Sequence, residues 1–241
     1  MEALRMRTLG GLVLLVGGEP TTGTVTQRRR LALLVLLASS RNRGMSRDKI
    51  LAYLWPESDA KRARHALDQL LSAQRRHLRS GDLFLGRKTL RLNRQVITAD
   101  AWEFEDALDA GEFEVALRLY DGPFLDGFFL KGAPAFERWA ESERDRLARR
   151  CASALNSLAT AASATGDCRG AVEWWLRAAE LSPFDGTTAI RLVEALVAAG
   201  DRAAALRHGQ QHAHRLREDL GVEPDGRVVR LIEQLRAGPG G

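Results

Sequence analysis

Asp59-Ala-Lys-Arg-Ala-Arg-His-Ala-Leu-Asp-Gln-Leu-Leu-Ser-Ala-Gln-Arg-Arg-His-Leu-Arg79 is the stretch that decides the fold. Placed at about 100° per residue, its apolar positions gather on one stripe of a helix. Ala63, Leu67, Leu70, Leu71, Gln74 and Leu78 fall together and should face a core. Lys61, Arg62, His65, Gln69, Ser72, Arg76 and Arg79 fall on the opposite side, flanked by Arg64 and Arg75, with Asp68 at the border. That side is rich in donors and carries no carboxylate of its own. A helix fits the major groove of DNA, and Arg, Lys, Gln and Ser side chains read base edges or hold phosphates. Ordinary solvation also produces charged helix faces, so the neighbouring segments have to decide.

On the C-terminal side, Leu83-Phe-Leu85 and Leu90-Arg-Leu92 alternate around Gly86-Arg87-Lys88, which predicts a β-hairpin with a basic tip. On the N-terminal side, Ser46 is placed to cap a helix over Arg47–Trp55 that Pro56 closes. Before it, Gln27–Ser40 is apolar on nearly every side from Leu31 to Ala38 and should be a buried helix. Leu4–Leu9 and Leu12–Val16, broken by Gly10-Gly11 and closed by Gly17-Gly18-Glu19-Pro20, suggest a small antiparallel sheet. Strands, three helices and a basic hairpin in that order describe a winged helix-turn-helix. Its third helix would enter the major groove, and its hairpin would lie on the adjacent backbone or minor groove. Arg62, His65, Gln69 and Arg76 are the candidates for base edges. Lys61, Ser72, Arg79, Arg87, Lys88 and Arg91 are the candidates for phosphate.

Composition agrees with two parts. The chain has 241 residues, 45% hydrophobic and 28% charged, so a folded protein is expected. The net charge of +5 is unevenly placed. Residues 1–97 hold 19 Lys+Arg against 7 Asp+Glu, and residues 98–241 hold 17 against 24. The division expected is 1–97 for a DNA-binding domain and 98–241 for a second, helical domain, since the basic part suits a polyanion. Cys151 and Cys168 make neither a disulfide framework nor a metal spacing and read as small apolar residues of a reducing cytoplasm. Leu12–Val16 and Leu31–Ala38 are too short to span a membrane, so no membrane association is expected.

The second part carries a repeated frame, Gly-acid-x-x-x-Ala, at Gly111–Ala116, Gly166–Ala171 and Gly200–Ala205. The last two lie 34 residues apart, the period of tetratricopeptide repeats. The glycine would end one helix, the acid would cap the next, and the alanine would let paired helices approach. Leu181-Ser-Pro-Phe-Asp185 and Gly221-Val-Glu-Pro224-Asp supply further breaks. Stacked helix pairs make surfaces for partners rather than catalytic clefts.

Catalytic and metal signals are weak, and neither a catalytic set, a metal nor a cofactor is expected. There is no phosphate-binding G-x-x-x-x-G-K loop, no serine elbow and no cysteine-histidine pairing. His208 and His212 lie one helical turn apart with His214 beside them, but no further ligand is evident, and a solvated helix face is the reading. Trp174-Trp175 reads as packing between helices, and Tyr120–Phe129 as a structural plug.

Several stretches together resemble the Streptomyces antibiotic regulatory protein family and its bacterial transcriptional activator domain. They are Leu9-Gly10, Leu54-Trp55-Pro56, Ala63-Arg-His-Ala-Leu67, and Asp100-Ala101 with Phe104. The strongest is Tyr120-Asp-Gly-Pro-Phe-Leu-Asp-Gly-Phe128, followed by Phe136-Glu-Arg-Trp139, Glu143-Arg-Asp-Arg-Leu147, Leu181-Ser-Pro183, Gly200-Asp201 and Leu220-Gly-Val-Glu-Pro224. The resemblance implies a mainly α protein: an OmpR/PhoB-type winged helix-turn-helix (α+β) followed by an all-α tetratricopeptide-like helical-repeat domain. It implies a transcriptional activator on promoter direct repeats, bound as side-by-side protomers and contacting RNA polymerase or another protein partner. Thr89 departs from that pattern, standing where an aromatic is frequent in the wing. Ala237-Gly-Pro-Gly-Gly241 resembles the start of a linker, as in a piece of a longer regulator. The competing reading is a helical-repeat scaffold whose winged helix is degenerate and non-specific. An enzyme has no residue constellation behind it.

Overall fold

Leu4–Arg7 (β1) buries Leu4 and Met6 and turns Arg7 outward, the alternation of a half-buried strand. The computed structural model describes residues 3–22 and 27–237. The chain divides into two compact units, Met1–Leu147 and Ala148–Gly241.

In the first unit β1 pairs antiparallel with Val13–Val16 (β2), which pairs with Glu19–Pro20 (β3). The fourth strand, Ile97–Ala99 (β7), was not anticipated from the sequence and lies parallel to β1, giving the order β3-β2-β1-β7. Three helices follow the opening strands. Arg28–Ser39 (α1) buries every residue from Leu31 to Ala38, as its continuous apolar run requires. Ser40 and a single 3-10 turn at Arg41–Arg43 lead into the short strand Met45–Ser46 (β4). Arg47–Leu54 (α2) begins with Ser46 Oγ accepting from the Lys49 amide, one residue shorter than expected at its end. Ala60–His77 (α3) completes the trio. Phe84–Leu85 (β5) and Thr89–Leu92 (β6) form the hairpin, with Leu85 opposite Arg91, and β6 also pairs with β4. This is a winged helix-turn-helix.

The same unit continues through Asp100–Asp109 (α4), Phe113–Leu119 (α5) and the first part of Pro134–Thr165 (α6). Asp100 ties these to the opening sheet. Its carboxylate, 5% exposed, accepts from the Thr8 amide at 2.8 Å, the Thr8 hydroxyl at 2.7 Å, the Leu9 amide at 3.0 Å and the Ala101 amide at 2.7 Å. The Tyr120–Phe128 loop packs against the same place: the Gly10 amide donates to Pro123 O and the Leu125 amide to Thr8 O. Phe124, Leu125 and Phe136 are buried there, which fits a plug, while Phe129 is 67% exposed.

The second unit contains the rest of α6, Cys168–Leu181 (α7), Gly186–Ala198 (α8), Arg202–Leu220 (α9) and Gly226–Ala237 (α10). The repeated frame performs as its chemistry dictates at two of its three occurrences. Gly111, Gly166 and Gly200 are all left-handed. Asp167 and Asp201 cap α7 and α9, whereas Glu112 makes no side-chain cap on α5. Ala116, Ala171 and Ala205 are at most 1% exposed, the close approaches that an alanine permits. Trp175 is buried, and Trp174 is half-buried beneath the Arg177 guanidinium. This unit is a tetratricopeptide-like helical repeat, so the fold is mainly α with a small sheet region in the first unit. No helix among the described residues is long and apolar enough to cross a membrane.

Candidate nucleic-acid interface

α3 is fixed at its start by Asp59, whose carboxylate accepts from the Lys61 and Arg62 amides at 3.0 Å. Its core stripe is as the periodicity predicts: Ala63, Leu67, Leu70, Leu71, Gln74 and Leu78 are all buried. Lys61, Arg62, His65, Gln69, Ser72 and Arg76 are all exposed along the other side. The helix ends at His77, two residues earlier than expected. Arg79 takes a left-handed conformation (φ 46°), and the Ser80 amide returns to Arg75 O at 3.0 Å. Arg79 is therefore exposed beyond the helix end rather than in helical phase with Arg76.

Two of the donors already touch. Gln69 Nε2 and His65 Nε2 lie 2.8 Å apart, one turn apart on the face, so the pair can present one shared arrangement of donor and acceptor to a base edge. Arg62 lies 3.1 Å from Asp59, but its side chain is 88% exposed, so this pairing is weak and easily exchanged. Among the described residues, Lys61, Arg76, Arg79, Arg87, Lys88 and Arg91 have no carboxylate within ion-pair distance.

The hairpin tip is built by Gly86, which is left-handed (φ +85°); a Cβ there would overlap the Thr89 carbonyl oxygen. Arg87, Lys88 and Arg91 are exposed on this wing. Thr89 lies exposed at its base, opposite Ser46. The sequence reading missed the residue that joins wing to helix. Arg47 donates through Nε to Arg87 O at 2.8 Å and through Nη1 to Asp68 at 2.7 Å, and its amide donates to Lys88 O at 3.2 Å. One side chain at the start of α2 thus fixes the tip relative to the middle of α3. Only its position just after a capping serine marks it in the sequence, and that says nothing of partners 21 and 40 residues away.

The basic surplus of residues 1–97 is partly consumed inside the first unit. Arg5 pairs with Glu103, Arg7 with Asp121, Arg94 with Asp106, and Arg41 with Glu105, Asp106 and Asp109. Counted over residues 1–147, 24 Lys+Arg face 20 Asp+Glu, so the open positive charge is local, and the α3 and wing face is one place that carries it.

Elsewhere, candidate ligands do not converge. No group of three His, Cys, Asp or Glu among the described residues could hold a metal. His212 is buried rather than on the solvated face that the spacing suggested, with Nδ1 3.1 Å from Pro183 O. His208 is half-buried, and burial together with Arg207 and Arg215 lowers its pKa. Burial pushes the Cys151 thiol up to about 12, which leaves it an inert core residue.

The chain joins a winged helix-turn-helix to a tetratricopeptide-like repeat, and its family places it among the transcription regulators. The model of the bacterial transcriptional activator domain family matches residues 82–236, and the chain belongs to that family, as its likeness to the Streptomyces antibiotic regulatory proteins implied. Among solved structures it is similar to Mycobacterium tuberculosis EmbR, determined in complex with a low-affinity phosphopeptide. The identity is 23% and the TM-score 0.66, over 100% of this chain and 67% of that one, a likeness of fold. No curated protein matches the chain.

Proposed function

We propose that this regulator binds promoter DNA, inserting α3 into the major groove and resting the β5–β6 wing on the neighbouring backbone. Arg62, His65, Gln69 and Arg76 contact base edges. Lys61, Ser72, Arg79, Arg87, Lys88 and Arg91 contact phosphate. The observation that carries this reading is that all ten side chains are exposed, six on the α3 face, three on the wing and Arg79 just past the helix end, with helix and wing linked through Arg47. In this reading residues 1–97 are the DNA-binding part, although the compact unit runs on to Leu147, and residues 98–241 are the activator part. Stacked helix pairs offer broad surfaces, which suits contact with RNA polymerase or another protein, and side-by-side protomers on direct repeats. A cytoplasmic location follows from that role.

The test separates the two kinds of contact. Arg76→Ala should cost about 1–3 kcal/mol on a selected duplex and relax preference at one position. Lys88→Ala should weaken all duplexes alike and make the salt dependence about one unit shallower. Unchanged binding in both variants would remove this assignment.

A further inference from the structure

The wing covers only one flank of α3. Asp68 and Arg75 lie on that flank, bonded to Arg47 and stacked on Phe84 of the hairpin. On the opposite flank, the first turn of α1 stands beside α3: Arg30 Nη1 is 3.3 Å from His77 Nδ1, and Gln74 Nε2 donates to Arg30 O at 3.3 Å. Between the two helices runs an open groove of about 620 Å³, lined by Arg29 and Arg30 of α1 and by His65, Gln69, Ser72 and Arg76 of α3. The groove is therefore continuous with the proposed base-reading face.

Its chemistry selects an anion. Arg29, Arg30 and Arg76 have no carboxylate within ion-pair distance among the described residues, and Asp68, which lines only the edge of the groove nearest the wing, is held by Arg47. Arg29 is held in place without being neutralised: Nε donates to Leu54 O at 3.2 Å and the guanidinium lies 6.0 Å from the Trp55 ring, leaving its terminal N–H groups for a ligand. A helix seated in a major groove has a sugar-phosphate backbone along each side. The wing faces one of them, and this groove lies where the other must run.

We propose that Arg29 and Arg30 bind the phosphodiester backbone on the flank of α3 away from the wing, so that the protein grips both strands bordering the major groove. This rests on the reading that α3 binds DNA. Arg29 and Arg30 then contribute affinity and register but no base preference.

The test uses a duplex selected from a random library by the unsubstituted protein, with binding followed by fluorescence anisotropy across a potassium chloride series. The Arg29→Gln, Arg30→Gln double variant should bind every duplex more weakly, with the slope of log K against log salt about two units shallower and the selected sequence unchanged. Restoring charge with Arg29→Lys, Arg30→Lys should restore the slope. As a reading that leaves the protein intact, neutral methylphosphonate linkages scanned along both strands should weaken binding on both sides of the major groove. A selected duplex with an unchanged slope in the double variant, or sensitivity confined to the wing side, would overturn this inference alone. Failure of the unsubstituted protein to enrich any sequence would overturn the reading beneath it as well.

Discussion

At the scale of single residues, the side chains that organise the molecule are those whose partners lie far along the chain. Asp100 gathers the amides of Thr8 and Leu9 and the hydroxyl of Thr8 onto one buried carboxylate. Asp100→Ala removes a charged acceptor and leaves those buried donors unpaired. The expected cost is about 3 kcal/mol in denaturant unfolding of the first unit, and a loss below about 0.5 kcal/mol would contradict the role given to it. The likeness to a known family marked Leu9-Gly10 and Asp100-Ala101 separately, but nothing in their spacing said that they meet. Arg47 was illegible for the same reason, since its acceptors are carbonyls and a carboxylate set by tertiary packing. The α3 face, by contrast, was legible residue by residue, because burial along an amphipathic helix follows its periodicity. Arg79 escaped that rule, for a left-handed residue at a helix end ignores the helical phase.

At the scale of elements, caps and turns carry much of the specification. Gly86 permits the tight wing tip, and Gly86→Ala forces a clash with the Thr89 carbonyl. The variant should lose protection of the β5–β6 amides in hydrogen exchange while α1 and α3 keep theirs; an unperturbed hairpin would show the turn to be tolerant. Asp185 caps α8 through the amides of Thr187 and Thr188. Burial works to raise its pKa, but the bonds from Thr188 and Thr187 and the charge of His212 outweigh burial and hold it below the usual value. A depressed carboxyl stabilises the fold above its unfolded pKa, about 3.9, and that contribution is lost as pH falls through the lower folded value. Asp185→Asn should therefore lower the stability of the second unit at neutral pH and flatten its acid dependence below about pH 4. An identical acid profile in the two proteins would exclude this linkage. The Gly-acid-x-x-x-Ala frame was readable because each position does one local job. The β7 strand was not, since Ile97-Thr98-Ala99 is too short to give a period and acquires its identity only by pairing with β1.

At the scale of the whole molecule, composition gave the right contrast and an incomplete account of its use. The excess of Lys and Arg before residue 98 is real, yet Arg5, Arg7, Arg41 and Arg94 are paired with carboxylates that follow it. What stays open includes the charge on α3, the wing and the first turn of α1, which is where a duplex would be held. Charge counting cannot see pairing, so the proposed DNA binding rests on geometry. The most direct measurement of that function is the affinity of the full chain for a selected duplex and for a scrambled one of equal length, over a series of salt concentrations. A sequence-reading winged helix should prefer the selected duplex by about a thousandfold or more at physiological salt, with both affinities falling steeply as salt rises. Equal affinities for the two duplexes, or binding indifferent to salt, would contradict the account.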